Sequence, residues 1–313
     1  MQIVKGLFSA LCTAIALVFV AAGFVCIANG HRPLFYLIDI FTLPALSVAI
    51  VVTAVFAVIR QVRAAVLGVV GVALLTIAIA PQVFPRQPAA LANAQPIKMV
   101  WANLFVRNRE PQKLLPWIAE KKPDLVTLVE VNQDARADLI DKLKVYYPYM
   151  VVRYDMIIAS RWPLSHAQPR PAGFALVTVT VKTPQGPLNL AVTHLTRPWP
   201  FTAAPEQPRH FERLKDALTP LPPTHFVLTG DFNTTPSAAL MRDFSKRMGL
   251  HAAPALTGTW EGQLPSLMRV TIDNVLATSD VNLSHREVGP DDGSDHRPVY
   301  VEIRSAGERY HGP

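Results

Sequence analysis

The stretch SDHRPVYV, residues 294–301, sets an acid, an imidazole and a guanidinium side by side before an alternating apolar run. Apolar residues at every second position predict a half-buried strand. About sixty residues earlier, TGDFNTTP (229–236) places Asp231 and Asn233 directly after another strand-like run, HFVLTG (225–230). Polar side chains at strand ends can converge on one edge of a sheet, where functional sites are commonly built.

Further polar residues stand at or near the ends of other predicted strands: Asn103, Glu130, His194, Asp273 and the pair Asp295–His296. Each has an ordinary explanation when it is taken alone. Glu130 is compatible with a solvated cap, His194 with a surface imidazole, and the GDFN turn with local Asx hydrogen bonding. Asp273 is harder to dismiss, because it interrupts the apolar run VTIDNVLA (270–277) and a buried carboxylate needs a partner.

The hydrophobic pattern after residue 96 alternates short strands with amphipathic helices. It predicts strands at 97–105, 124–131, 150–159, 174–182, 188–194, 225–230, 270–277 and 298–304, and helices at 111–121, 133–144, 206–218 and 237–248. Neighbouring strands with only a few inserted helices favour an α+β fold of packed sheets over a doubly wound parallel sheet.

Taken in order, these motifs resemble those of the endonuclease/exonuclease/phosphatase (deoxyribonuclease I-like) superfamily. The resemblance runs from about residue 97 to 304 and rests on WANLF, LVTLVEV, AVTHL, TGDFNTTP, TIDNVL and SDHRPVYV. It implies a four-layer sandwich, in which two packed β-sheets are flanked by helices, and a metal-dependent hydrolase of phosphoester bonds. With its apolar N-terminal part, the chain is similar to the membrane-anchored bacterial members.

The resemblance also implies a role for each motif residue. Asn103, Glu130 and Asp295 would bind Mg²⁺, or Mn²⁺ as a substitute, since hard divalent cations take oxygen ligands. The catalytic group would be His194, Asp231, Asn233, Asp273 and His296. Asp273 would orient the imidazole of His296, Asn233 would donate to a phosphate oxygen, and His194 would donate to the phosphate or protonate the leaving oxygen. Either Asp231 or His296 would act as the base.

Substrate contacts are expected from the loop LTRPWPFTAAPEQPR, residues 195–209. Arg197 and Arg209 would lie near phosphate, and Trp199 would stack on a base or touch lipid. A Pro-rich surface loop that packs its own aromatic rings is an equal alternative. The expected substrate is a phosphoester, with a phosphodiesterase or nuclease as the leading hypothesis. A phosphatase or phospholipase-type hydrolase and a non-catalytic membrane-tethered binding module are the alternatives, and no protein partner is indicated.

Residues 1–85 contain only four basic residues and one acidic residue, and three apolar runs lie at about 6–28, 34–59 and 64–84. Each run is near the ~20 residues that cross a bilayer core as a helix. A cleaved signal peptide is the alternative for the first run, but two further runs favour a retained helix. Asp39, only a few residues inside the second run, fits the membrane interface.

These patterns predict a three-helix transmembrane anchor over 1–84, a linker over 85–96, a catalytic domain over 97–304 and a tail over 305–313. Lys5, Arg60 and Arg63 fall at one end of the predicted spans, and Arg32 falls at the other. The more basic side should be cytoplasmic. We therefore expect a protein of the bacterial inner membrane, with its lipid bilayer as a partner and its catalytic domain on the periplasmic side.

The only cysteines, Cys12 and Cys26, lie in the first apolar run, which excludes disulfides and thiolate metal sites from the remainder of the chain. Of the formal net charge of +7, residues 86–313 carry +4, since they contain 26 basic and 22 acidic residues, and this surplus is mild. It is compatible with a phosphate-bearing substrate but does not resemble a nucleic-acid-binding stripe.

Overall fold

The computed structural model describes residues 2–28, 33–169, 173–198 and 206–307. Its first part consists of four helices: α1 (Gln2–Ala28), α2 (Pro33–Asp39), α3 (Thr42–Val58) and α4 (Val62–Val83). Helices α1 and α4 are long and apolar enough to cross a membrane, whereas α3 is shorter. The predicted second span, 34–59, is divided between α2 and α3 at Ile40 and Phe41, so the structure gives two helices of spanning length rather than three.

Close helix contacts fix the arrangement of this first part. Gly23 of α1 lies against Leu74 of α4, and Gly71 of α4 lies against Phe19 of α1. A Cβ at Gly23 would come within 2.5 Å of the Leu74 Cβ, so only glycine permits this approach. Because the contacting positions increase together along both helices, α1 and α4 run parallel. A short turn at residues 59–61 connects α3 to α4, and the two helices pack against each other.

Among the described residues, twelve strands follow the helices and form two six-stranded sheets. The first sheet has the order β11-β12-β1-β2-β4-β3, and the second has the order β5-β6-β7-β8-β10-β9. The strands are β1 (Ile97–Asn103), β2 (Leu125–Val129), β3 (Tyr149–Arg153), β4 (Met156–Ser160), β5 (Leu164–Pro169), β6 (Ala175–Thr183), β7 (Gly186–His194), β8 (Phe226–Asp231), β9 (Leu250–Ala252), β10 (Asp273–Thr278), β11 (Val281–Val288) and β12 (Val299–Ser305).

Apolar side chains define four layers. The inner faces of the two sheets meet in one core that includes Met99, Trp101, Val179 and Val227. Helices α5 (Leu115–Lys121) and α6 (Arg136–Lys144) cover the outer face of the first sheet. Helices α7 (Glu206–Leu218) and α8 (Ala239–Met248) cover the outer face of the second sheet. This is the predicted α+β sandwich of two packed sheets flanked by helices.

Two differences from the predicted elements have a local cause. The segment predicted as one strand over 150–159 forms a tight hairpin, β3 and β4, because Tyr154 adopts a left-handed backbone conformation with φ of 55°. Strands β5, β9 and β11 were not predicted. Strand β5 buries none of its six residues and β9 has only three residues, so neither carries a clear alternating pattern.

Residues 84–96 form no helix or regular strand, but they are hydrogen-bonded along the edges of the sheets. The side-chain amide of Gln87 donates to the carbonyl oxygen of Ala252 at 2.7 Å and accepts from the backbone amide of Leu283 at 3.0 Å. Ala90 forms an isolated bridge with Ala306. The segment therefore lies on the sandwich instead of extending away from it.

Candidate active site

Three neighbouring strands of the second sheet place three of the predicted residues in one row. Strand β7 pairs with β8 in parallel, so that His194 lies opposite Asp231. Strand β10 pairs with β8 antiparallel, so that Asp231 lies opposite Asp273. Residues in register on adjacent strands project to the same face. The sheet register alone therefore brings together side chains from three distant stretches of sequence.

The first sheet contributes the remaining motif residues at the same end of the sandwich. Asn103 ends β1 opposite Val129 of β2, and Glu130 follows at once. Glu130 has a left-handed backbone with φ of 52°. This conformation is uncommon for a residue with a long side chain and is concentrated at functional sites. Asp295 and His296 lie just before β12, which pairs with the other side of β1.

Asp273 and His296 form a buried pair. The Nδ1 atom of His296 lies 2.7 Å from Oδ2 of Asp273, and the indole of Trp101 donates to Oδ1 of Asp273 at 3.1 Å. Burial acts to lower the pKa of His296, but the negative charges of Asp273, Asp231 and Asp295 outweigh it and raise the pKa to about 10. Burial likewise acts to raise the pKa of Asp273, yet His296 holds it below its ordinary value. The pair is therefore an imidazolium facing a carboxylate.

Asp231 lies between the two histidines. Its Oδ2 atom is 3.7 Å from Nε2 of His194 and 3.8 Å from Nε2 of His296, while its Oδ1 accepts the backbone amide of Asn233 at 2.9 Å. Burial and the charge of Asp273 raise the pKa of Asp231 to about 6. A carboxylate with a raised pKa is a stronger proton acceptor than an exposed one, and it remains ionised at neutral pH.

Two asparagines of the predicted site use their amides within the protein. The amide nitrogen of Asn103 donates to Glu130 at 2.9 Å and to Asp231 at 3.1 Å, and its oxygen accepts the backbone amide of Phe105 at 2.9 Å. The amide nitrogen of Asn233 donates to the carbonyl oxygen of Leu195 at 2.9 Å. Asn103 thus holds two carboxylates in place, and Asn233 retains one amide hydrogen for another acceptor.

The donor set fits a divalent cation. Ligand atoms of Glu130, His194 and Asp231 lie within 4.8 Å of one another. Nearby, Oδ1 of Asp295 is buried without a hydrogen-bond partner, and burial raises the pKa of this carboxyl group. A buried carboxylate oxygen without a partner is costly unless a cation or a donor meets it. Hard cations such as Mg²⁺ take carboxylate oxygens as ligands.

These side chains open into a cavity of about 450 Å³. Arg197 lines it, and Glu130, His194, Asp231, Asn233, Asp295 and His296 all face it. Arg209 is not among the described residues that line the cavity, and its guanidinium pairs with Glu206 on α7 instead. Trp199 lies outside the described residues, so its predicted contact is not located.

Sequence reasoning missed several residues of the cavity. Trp260 donates its indole hydrogen to Asp295 at 3.3 Å, and the rings of Phe174 and His210, which also line the cavity, lie 4.9 Å apart. The hydroxyl group of Ser294 ties the loop before β12 to the end of β1, because it donates to the carbonyl oxygen of Asn103 at 2.8 Å and accepts the amide of His296 at 3.0 Å. Ser294 belongs to the SDHRP motif, but Trp260 and His210 follow no strand and carry no comparable signal.

Comparison with known proteins identifies the family to which this site belongs. The model of the Endonuclease/Exonuclease/phosphatase family matches residues 100–296. The chain belongs to the Endonuclease/Exonuclease/phosphatase family. As a member it is a hydrolase that acts on phosphoester bonds, which confirms the resemblance found in the sequence. No curated protein sequence gives a significant match.

Solved structures share the fold of this family member. An endonuclease/exonuclease/phosphatase from Beutenbergia cavernae is 20% identical with a TM-score of 0.53, over 68% of this chain and 72% of its own. Sphingomyelinase C from Streptomyces griseocarneus is 15% identical with a TM-score of 0.51, over 68% and 100%. A mutant beta toxin from Staphylococcus aureus, solved with bound magnesium ions, is 14% identical with a TM-score of 0.55, over 68% and 100%.

Proposed function

We propose that this family member is a membrane-anchored, Mg²⁺-dependent phosphodiesterase or nuclease that hydrolyses its substrate by in-line attack of water. The observation that carries the proposal is the buried pair of Asp273 and His296, which faces Asp231 across 3.8 Å in a cavity that also contains Glu130. Phosphoryl transfer is catalysed mainly by positioning and by electrostatic stabilisation. This site supplies fixed donors and carboxylates for both purposes.

Glu130 and Asp295 are the residues proposed to hold Mg²⁺, with Mn²⁺ as a substitute. The oxygen of Asp295 that lacks a hydrogen bond supports this assignment, as does the similar solved structure with bound magnesium ions. When bound, the cation would neutralise negative charge on the phosphoryl oxygens. Asn103 was predicted as a third ligand. Its amide nitrogen faces the carboxylates, so we propose that it fixes Glu130 and Asp231 for the cation.

The protonation states of His296 and Asp231 support the roles that we propose for them. With its pKa raised to about 10, His296 is an imidazolium at neutral pH and is a hydrogen-bond donor to a phosphoryl oxygen. Asp231, with its pKa raised to about 6, is ionised and accepts the proton of the attacking water. His194 donates to the leaving oxygen and Asn233 to a phosphoryl oxygen. Arg197 at the cavity wall pairs with the phosphate of the substrate.

The first 84 residues are proposed to be the membrane anchor of this enzyme, followed by the linker 85–96, the catalytic domain 97–304 and the tail 305–313. Only 22% of the most apolar window of α1 and 33% of that of α4 are buried within the protein. A soluble core helix buries most of such a surface, whereas lipid covers it in a membrane. The close contact of α1 with α4 supports a retained first helix over a cleaved signal peptide.

The same contacts bear on orientation. Since α1 and α4 run parallel, Lys5 at the start of α1 lies at the same end as Arg60 and Arg63 around the start of α4. Basic residues concentrate on the cytoplasmic side. The catalytic domain follows the opposite end of α4, which supports a periplasmic active site in a bacterial inner membrane. A C-terminal reporter that is active only in the periplasm tests this orientation, and cytoplasmic reporter activity would contradict it.

One observation favours the second candidate, a hydrolase of lipid phosphoesters. The segment 256–268 connects the anchor with the cavity: the hydroxyl group of Ser47 in α3 donates to the carbonyl oxygen of Leu267, and Trp260 contacts Asp295. Leu264 and Leu267 are 44% and 45% exposed on this segment. Exposed apolar side chains beside an apolar helix of the proposed anchor fit the membrane interface.

Hydrolysis assays on the purified full-length protein distinguish these functions. The substrates are plasmid DNA, single-stranded DNA, bis-p-nitrophenyl phosphate and phospholipid vesicles, each with Mg²⁺ and with excess chelator. We expect Mg²⁺-dependent hydrolysis of diester substrates. Preferential cleavage of vesicle lipids would select the second candidate, and no hydrolysis of any substrate would leave a membrane-tethered binding module.

A further inference from the structure

The end of the anchor is joined to the catalytic domain through one buried side chain. Gln82, in the last turn of α4, is 1% exposed. Its amide nitrogen donates to the carbonyl oxygen of Ala255 and to the hydroxyl group of Thr271, both at 3.1 Å, and its amide oxygen accepts from the hydroxyl group of Ser237 at 3.2 Å. The backbone oxygen of Gln82 also accepts the amide of Ala255 at 2.9 Å. Every polar group of this side chain therefore has a partner in the catalytic domain.

A second buried contact holds the same part of the catalytic domain. Oδ2 of Asp39, at the end of α2, accepts the backbone amide of Ala239 at 2.8 Å. Ala239 begins α8, where unpaired backbone amides and the helix dipole favour a negative charge. Asp39 is 2% exposed, so this carboxylate is enclosed between the anchor and α8 rather than placed in solvent. Residues 237–239 are thus held by the anchor at two points.

The partners of Gln82 lie next to the catalytic strand ends. Ser237 bonds to the hydroxyl group of Thr235, two residues after Asn233. Thr271 precedes Asp273 by two residues. The side chain of Asn274 ties these segments to each other, because its amide nitrogen donates to the carbonyl oxygens of Thr234 and Thr271 at 3.2 and 3.0 Å. A displacement of Gln82 should therefore move both the loop after Asp231 and the residues just before β10.

We propose that the anchor is part of the catalytic architecture and that Gln82 is a positioning residue, which fixes the segments carrying Asp231, Asn233 and Asp273 relative to each other. This inference rests on the proposed function, but it adds a requirement that the family motifs do not contain. It assigns to the anchor a second task beside attachment. Small displacements of catalytic groups lower turnover strongly, since about 1 Å of misplacement costs up to about 100-fold in rate.

The chain contains a matched control for this residue. Gln87 also bonds to the catalytic domain through both ends of its side-chain amide, but its partners are Ala252 and Leu283 at the strand edges. Neither partner adjoins a residue of the cavity. Replacement by methionine keeps the length and volume of each glutamine and removes only its hydrogen bonds. Gln82→Met therefore removes hydrogen bonds to the segments beside the catalytic strand ends, whereas Gln87→Met removes hydrogen bonds to the outer strands of the sheets.

The test uses full-length wild type, Gln82→Met and Gln87→Met in detergent micelles, with two readouts. Hydrogen exchange of the backbone amides in residues 231–239 is measured without substrate, and kcat and KM are measured on the diester substrate with Mg²⁺. We expect Gln82→Met to accelerate exchange in this segment and to lower kcat by about tenfold or more, with KM little changed. Gln87→Met should stay within about twofold of the wild type on both readouts.

Equal exchange in residues 231–239 for the two variants would overturn the inference. This readout needs no turnover, so it separates failure of the inference from failure of the proposed function, which an inactive wild type would indicate. Should Gln82→Met not fold, Ser237→Ala removes one of the same hydrogen bonds from the catalytic side. It is expected to accelerate exchange in the same segment, and unaltered exchange there would count against the inference in the same way.

Discussion

Substitution of Asp273 by asparagine separates the charge of the buried pair from its shape. Asparagine is isosteric with aspartate, and its oxygen can still accept the indole hydrogen of Trp101. Its amide nitrogen, however, is a donor, and it faces Nδ1 of His296 at the 2.7 Å position now occupied by a carboxylate oxygen. The imidazole must then turn a lone pair of Nδ1 toward the substituted amide, which leaves the ring neutral and protonated only on Nε2.

The magnitude follows from the burial of the pair. Asp273 is fully buried and His296 is 6% exposed, so solvent replaces little of the lost interaction. Burial alone lowers the pKa of His296, so without Asp273 the pKa should fall well below its present value of about 10. Replacement of the aspartate by asparagine at a comparable Asp–His pair lowers kcat about 10⁴-fold. We expect a fall of about 10³–10⁴ here, equivalent to about 4–5.5 kcal/mol of transition-state stabilisation.

The pair also links stability to pH in a defined direction. The folded-state pKa of His296 is raised above its ordinary value of 6.5 to about 10. Its contribution to folding is therefore complete below about pH 6.5 and is lost as the pH rises toward 10. Asp273→Asn should remove this pH dependence, which thermal unfolding at pH 6, 8 and 10 measures.

The assay compares kcat of Asp273→Asn with that of Asp124→Asn, and NMR titration follows His296 in both. Asp124 also accepts a hydrogen bond, from the backbone amide of Lys98 at 2.9 Å. It precedes β2, however, at the end of that strand opposite to Glu130 and the cavity. We expect Asp124→Asn to keep kcat within a few-fold of the wild type. A fall of less than tenfold for Asp273→Asn, or an unchanged pKa of His296, would refute the reasoning.

Three further predictions concern the cation, the proton acceptor and the membrane. Glu130→Gln should weaken Mn²⁺ binding in calorimetry by at least about tenfold, because a metal-ligating charge is lost. Since burial and Asp273 raise the pKa of Asp231 to about 6, kcat/KM should fall as the pH drops through about 6, and a flat profile from pH 5 to 8 would contradict its role. Leu264→Ser combined with Leu267→Ser should lower turnover on lipid vesicles but not on a soluble diester, and equal effects would exclude contact with lipid.

The positions of the motif residues near strand ends were predictable, because each lies at or beside an apolar run of the sequence. His194, Asp231 and Asp273 follow from three apolar runs, and the sheet register places them opposite one another. The periodicity of the sequence does not show how the strands pair. Only the structure therefore shows that these three residues lie side by side. The α+β sandwich was likewise predicted, although β5, β9 and β11 were not.

Other features depend on contacts that no local pattern encodes. Trp260 reaches Asp295 from an irregular segment, and Arg209 pairs with Glu206 three residues earlier instead of lining the cavity. The second apolar run reads as one continuous span, yet the chain turns at Phe41 and Asp39 caps α8 of the catalytic domain. Gln82 has the appearance of an interfacial residue at a helix end, and only tertiary packing shows that it is buried.

The most direct test of the proposed site measures initial rates of bis-p-nitrophenyl phosphate hydrolysis by wild type, Glu130→Ala and His296→Ala. Each protein is assayed with Mg²⁺ and with excess chelator. If the site is a metal-dependent phosphodiesterase, the wild type should hydrolyse the substrate with Mg²⁺ but not with excess chelator. Both variants should be inactive under either condition. Hydrolysis at the wild-type rate by both variants would contradict the site.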